Sequence, residues 1–200
     1  SIGSMSTVVG VVDSGIDPTH PDLYLNIWIN QGEIPSTFLD DDGTKLVDID
    51  GDGLITFYDL NHATRATTAP YALNVAGFAN GPNAEFVRDL NNNSRIDADD
   101  LLRDALWTSG TDDDGNGFFD DIFGVNFRAG AGDPFASNNP TDELGHGTHV
   151  AGTIGAIGSN GVGVVGVNWQ TSLMSLRILD NNNQGDSGAA IRAINYARDM

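Results

Sequence analysis

The sequence predicts an α/β fold built on a mostly parallel sheet, and three observations carry that prediction. Val8 to Val12 is a run of β-branched residues broken only by Gly10, without polar alternation, which suits a strand covered on both faces. Leu173 to Leu179 supplies a second strand. Helical patterns accompany both strands. In the first, Val150, Ile154 and Ile157 recur at three- to four-residue spacing; Ala189 to Ala197 forms the second.

The first strand ends at Asp13, and Ser14-Gly15 turns the chain. A carboxylate at the carboxyl edge of a buried strand sits where open α/β sheets place their ligand sites. It needs a partner, because an unpaired buried charge is costly. The helix beginning near Gly145 is poor by propensity. Gly147, Gly152 and Gly155 each cost about 1 kcal/mol relative to alanine. Such a helix is expected to be buried, its glycines allowing close approach to another backbone. His146 stands at its first turn. A lone histidine there is more often structural than catalytic. Paired with Asp13, it forms the orienting half of a nucleophilic triad, with His as general base and Asp fixing its tautomer.

At this point the motifs carry a resemblance. VVGVVDSGID followed by HPDL, and then DELGHGTHVAGTIGA, are similar to the subtilisin-like serine proteases, the subtilases. The similarity covers residues 7 to 35 and 112 to 200. It implies a doubly wound, mostly parallel sheet, with Asp13 as catalytic aspartate, His146 as general base and His149 as a structural residue. The family's nucleophilic serine and oxyanion-hole asparagine follow the histidine at a distance, and neither motif occurs up to Met200. The expectation is therefore a truncated catalytic domain that is inactive alone. Gly185-Asp186-Ser187-Gly188 spells the nucleophile signature of trypsin-like enzymes. Here it runs into a helical pattern, so Asp186 or Ser187 is expected to be an N-cap.

The 200 residues fit one domain, with 40% hydrophobic content. There is no cysteine, hence no disulfide framework. No apolar run approaches the roughly 18 residues of a membrane span, and no signal peptide is visible. A net charge of −19 argues against nucleic acid. The acid is concentrated: residues 40–59 hold seven carboxylates, 89–104 five and 112–121 five, out of 28. Clusters this dense repel themselves unless a cation neutralises them, and calcium is the expected one.

Asp48 to Asp59 follows the EF-hand loop. Asp48, Asp50 and Asp52 occupy positions 1, 3 and 5, Gly53 position 6 and Asp59 position 12, and Leu54 would offer its carbonyl. Aspartate at the last position resembles dockerin repeats. Asp89 to Asp100 keeps the spacing through Asp89, Asn91, Asn93, Arg95 (at the place of Leu54) and Asp100, but has Ser94 in place of the glycine. Leu101 is expected to begin the helix that follows. A third loop offers Asp112, Asp114 and Asn116, with Phe123 at position 12, so its calcium would need Asp120 or Asp121 by another geometry.

Residues 27–35 and 112–124 resemble neighbouring segments of bacterial subtilases. Residues 36–111 thus read as a loop-rich, calcium-binding insertion, with 64–83 as loop; 129–141 reads as a surface loop. Gly158 to Gly166 matches a family loop that often binds calcium, with Asn160 a weak candidate. The turn holding Asn183, Gln184 and Gly185 corresponds to a rim of the substrate cleft, where an extended peptide adds as a strand; an ordinary Asn/Gly turn is the plainer reading.

The resemblance implies a secreted or cell-surface endopeptidase of bacterial type acting on polypeptides, with a pro-segment a possible further partner. Oligomeric state is left open. Two other classes stay open: an inactive subtilase scaffold, and a calcium-dependent docking or adhesion module in 36–111. A metal site on His146 and His149 has no HExxH pattern behind it.

Overall fold

The computed structural model describes residues 3–39, 46–62, 81–128 and 138–200. Most of the expected loops at 64–83 and 129–141 lies outside the described residues, as do Asp40 to Asp42 of the first acidic window.

Three parallel strands form the sheet: β1 (Gly3–Asp13), β2 (Gly124–Asn126) and β3 (Gln170–Arg177), in the order β1-β3-β2. β3 is central and buried from Thr171 to Arg177. Helix α3 (His146–Gly155) packs on β1 and β3, as does α4 (Ser187–Asp199). Alternation along the strands assigns them to opposite faces. Val9, Val11 and Leu173 join one hydrophobic cluster with Ala151 of α3; Val12, Met174 and Leu176 join another with Ala189 and Ala193 of α4. The sheet is thus wound on both sides, and both faces of the valine run receive apolar cover. That cover is incomplete at the start of the run, where Val8 stays 45% exposed, because β1 lies at the sheet edge among the described strands.

α3 is half-buried rather than buried. The stripe Gly147, Ala151, Gly155 faces inward, Val150 and Ile154 are partly covered, and His146, His149 and Thr153 are exposed. A Cβ at Gly155 would meet the Thr171 methyl at 2.6 Å, whereas Gly152 has nothing within 4 Å and permits no closer approach than alanine would.

Two short helices, α1 (Phe57–Leu60) and α2 (Ala98–Arg103), follow the first two acidic loops. α2 begins at Ala98, three residues earlier than expected, because Asp97 caps it in a reciprocal box with Asp100. Among the described residues, the region carrying them has no separate core. Phe38, Phe57, Leu60, Phe86, Ile96, Leu101 and Trp107 bury themselves in the cluster that holds Leu23, Ile27 and Leu173. Phe38 packs on Phe86 and Trp107 at 5.1 and 5.6 Å between centroids. No helix among the described residues is long and apolar enough to cross a membrane.

Candidate functional site

β1 delivers Asp13 to the carboxyl edge of the sheet, and α3 begins beside it. Two glycines make the approach possible. Gly15 has φ +107°, and a Cβ there would lie 2.2 Å from the Pro140 carbonyl oxygen. A Cβ on Gly147 would lie 2.1 Å from the Gly15 carbonyl oxygen. Across 133 positions, His146 Nδ1 comes within 2.7 Å of Asp13 Oδ1. An ionised carboxylate only accepts, so Nδ1 carries the hydrogen and Nε2 keeps its lone pair. The histidine side chain is 61% exposed. By hydrogen bond and by charge, Asp13 raises the His146 pKa above the usual imidazole value. The arrangement can accept a proton at Nε2 and stabilise the imidazolium that results.

Asp13 is itself held: its Oδ1 accepts the Ser14 N–H at 2.7 Å. Behind it stands Asp142, which the sequence reading passed over. Burial alone would raise its carboxyl, but hydrogen bonds from the Thr148 hydroxyl and from the Thr148, Leu144 and Gly145 N–H groups keep it below the ordinary carboxylate value. His149 is exposed and its backbone carbonyl accepts the Thr153 hydroxyl. The carboxylate groups placed for a metal among the described residues include no histidine.

Ser187 opens α4, on the other face of the sheet from α3, and Asp186 is the N-cap, accepting the Ala189 N–H at 2.9 Å. Asn183, Gln184 and Gly185 lie in an exposed turn folded on Asp180. The Asp180 carboxylate accepts the Gln184 N–H, the Asp180 N–H donates to the Gln184 carbonyl, and Asn183 takes φ +62°. Arg177, at the end of β3, ties this turn to the loop before α3. It donates to Asn181 Oδ1 and to the Thr141 carbonyl, both at 2.7 Å. Asn160 donates to Asp22 of the HPDL motif, which also accepts the Val164 N–H.

The three acidic loops share one hydrogen-bond register. In each, the first aspartate (Asp48, Asp89, Asp112) accepts the N–H at position 6, from Gly53, Ser94 and Gly117. Positions 3 and 5 accept from positions 5 and 7. These bonds run from Asp52 to Asp50 and Leu54 to Asp52, from Asn93 to Asn91 and Arg95 to Asn93, and from Asn116 to Asp114 and Phe118 to Asn116. Positions 4 and 6 have positive φ throughout, even where they are Asn92 and Ser94. The twelfth residue closes the loop: Asp59 accepts the Ile49 N–H, and Asp100 those of Leu90 and Asn91.

In the third loop that closing carboxylate is Glu33, 80 positions upstream. Its Oε1 accepts the Asp113 N–H at 3.1 Å and the Asp114 N–H at 3.4 Å. Asp120 instead accepts the Gly110 N–H, and Asp121 is taken up by the Tyr196 hydroxyl and the amides of Asn30 and Asn116. Carboxylate oxygens of Glu33, Asp112 and Asp114 lie within 4.8 Å of one another, as do those of Asp48, Asp50 and Asp59. All-oxygen donors of this charge suit a hard cation such as calcium. Burial, then the neighbouring Asp121 and Asp114, raise Glu33 to about 8; burial, then Asp52, Asp59 and Asp48, raise Asp50 to about 6. The second loop is less acidic and partly self-neutralised. Arg95 pairs with Asp97 at 3.6 Å, donates to the Thr19 carbonyl and stacks over Tyr24.

The sequence is similar to known proteases. It is 39% identical over 108 residues to subtilisin-like protease 1 of Plasmodium vivax, covering 54% of this chain and 16% of that protein. Subtilisin-like protease 2 of Plasmodium falciparum (isolate 3D7) is 51% identical over 61 residues, or 30% of this chain and 4% of that protein. The cell wall-associated protease of Bacillus subtilis (strain 168) is 40% identical over 63 residues, or 32% and 7%. The chain thus spans a sixth or less of the length of each of these relatives. The Subtilase family matches residues 4–200, nearly the whole chain. With that match and this fold, the chain belongs to the subtilase family.

Proposed function

We propose that this chain is the Asp- and His-bearing part of a serine endopeptidase that cleaves polypeptides through an Asp-His-Ser triad. The observation that carries the reading is the 2.7 Å contact between His146 Nδ1 and Asp13 Oδ1, with the rest of the imidazole facing solvent. His146 takes the proton from an attacking serine through Nε2 and returns it to the leaving amine. Asp13 fixes the tautomer and stabilises the imidazolium. The serine comes from sequence outside these 200 residues. The turn at Asn183, Gln184 and Gly185 borders the cleft, and an extended peptide pairs beside it. The proposal includes a secreted or cell-surface location, which the family resemblance and the cell wall-associated protease of Bacillus subtilis support.

Calcium completes the proposal. Asp48, Asp50, Asp52, Asp59 and the Leu54 carbonyl hold one ion, and Glu33 with Asp112, Asp114 and Asn116 a second. Asp89, Asn91, Asn93, Arg95 (through its carbonyl) and Asp100 form a weaker third site. Bound calcium would cancel the mutual repulsion of these carboxylates. The inserted residues 36–111 act as a stabilising device rather than a docking module: among their described residues the aromatic side chains of Phe38, Phe57, Phe86 and Trp107 are spent in the shared core, while Leu39, Leu90 and Leu106 stay exposed.

Hydrolysis of a fluorogenic peptide by protein that also carries the acylating serine tests the reading. Asp13→Asn is expected to lower kcat by about 10⁴, as loss of the triad carboxylate does elsewhere. Activity within tenfold of wild type would refute it.

A further inference from the structure

Five donors converge on the half-buried carboxylate of Asp142, four positions ahead of His146. Oδ1 accepts the Ser14 hydroxyl at 2.8 Å and the N–H groups of Leu144 and Gly145 at 2.9 Å. Oδ2 accepts the Thr148 N–H at 2.9 Å and the Thr148 hydroxyl at 2.7 Å. Four of these bonds order the entry to α3, as a helix cap would. The fifth does not belong to a cap, because Ser14 lies 128 positions away and directly follows Asp13.

Ser14 carries the connection further. Its hydroxyl oxygen accepts the Gly147 N–H at 2.9 Å, while its own N–H donates to Asp13 Oδ1. The backbone repeats the tie, with the Ile16 N–H on the Pro140 carbonyl and the Asp142 N–H on the Ile16 carbonyl. The packing of α3 on β1 and the Asp17 N–H on Thr148 Oγ1 also hold the two segments together, but the Ser14–Asp142 contact joins the residue next to Asp13 to the loop that opens α3. We infer that Asp142 is a positioning residue for the proposed general base: it locks the turn after Asp13 to the first turn of α3 and so sets the Asp13–His146 hydrogen bond. It touches neither the imidazole nor any reacting atom.

The chemistry requires a carboxylate at this place. All five partners are donors, and an ionised carboxylate offers acceptor sites on both oxygens. An amide has one acceptor oxygen and would turn an NH₂ group toward either the Thr148 pair or the Ser14, Leu144 and Gly145 set. A negative charge is also favoured at the N-terminus of α3, where free N–H groups gather.

The inference rests on the Asp13–His146 reading, and the test separates the two. ¹⁵N-histidine NMR of this chain reads a downfield Nδ1–H resonance from the His146–Asp13 bond, and the titration of each histidine. Wild type is expected to show the resonance, with His146 titrating above about 6.5. Asp142→Asn and Ser14→Ala, each folded by circular dichroism, should lose the resonance; because the Asp142 charge itself raises His146, the fall of His146 toward about 6.5 is read in Ser14→Ala, which keeps that charge. Thr148→Val removes a cap donor, and with it the acceptor of the Asp17 N–H, without touching the Ser14 link, and should keep the resonance. A purely structural role predicts lower melting temperatures with His146 unchanged. If Asp142→Asn does not fold, Ser14→Ala decides. Wild-type behaviour of His146 in the folded variants overturns the role of Asp142 alone. Absence of the resonance in wild type, with ordinary His146 titration, overturns the Asp13–His146 pairing and this role with it.

Discussion

At residue 147 a single methyl group decides whether the two segments that carry Asp13 and His146 can meet. A Cβ there would stand 2.1 Å from the Gly15 carbonyl oxygen and 3.1 Å from Asp13 Cβ, so backbone must move. Gly147→Ala is expected to destabilise by about 1–3 kcal/mol, the usual cost of overpacking. Gly152→Ala has open space and should instead gain up to about 1 kcal/mol of helix propensity. Urea midpoints at unchanged slope measure both. The sequence showed three glycines in one helix but not which of them met a backbone, because that depends on where β1 lies. It did suggest pairing Asp13 with His146, since one ends a recognisable strand and the other opens a recognisable helix. Asp142 escaped notice because an acidic residue four positions before a helix looks like surface until Ser14 is seen beside it. His146 also predicts a pH effect. Asp13 raises its pKa, so its protonated form stabilises the fold fully below about pH 6.5, and that contribution fades as pH rises through the folded-state value. In Asp13→Asn, NMR titration should place His146 lower than in wild type.

Among the elements, the acidic loops were legible wherever the carboxylate that closes them is local. Asp48 to Asp59 could be read from spacing alone. Glu33 could not, because it closes a loop 80 positions away. One signal pointed to it: Phe123 at the twelfth position left that loop one carboxylate short, whereas the burial of Glu33, only 2% exposed, shows in the structure alone. Calcium bound to the native state alone stabilises by RT ln(1 + [L]/Kd), about 3 kcal/mol at a hundredfold excess. The account expects calcium to raise the thermal midpoint. Glu33→Gln should remove part of that increment and reduce the bound stoichiometry in calorimetry by one, and Asp48→Ala with Asp59→Ala should do the same through the first loop. A stoichiometry unchanged in Glu33→Gln would return the third loop to Asp120 or Asp121. β1 shows a different limit: the valine run announced a strand with apolar cover, but not that Val8 sits at a sheet edge.

For the whole molecule, the sheet, α3 and the described residues of 36–111 are one packed unit, where Trp107 and Phe57 share a core with Leu173. An insertion at 36–111 was expected from its edges in sequence. Its integration was not, because periodicity says that a side chain is apolar without saying what it packs against. A shared core also explains how loops far from His146 in sequence can hold the sheet edge that positions it: Arg95 reaches the Thr19 carbonyl, six residues past Asp13. The central claim is that this edge serves a serine nucleophile through His146. Labelling with a serine-directed fluorophosphonate, followed by peptide mapping, tests it most directly in protein that carries these residues together with the downstream serine. The account predicts one labelled serine outside residues 1–200, and loss of that labelling in His146→Ala. Labelling at Ser187, or labelling undiminished in His146→Ala, would contradict it.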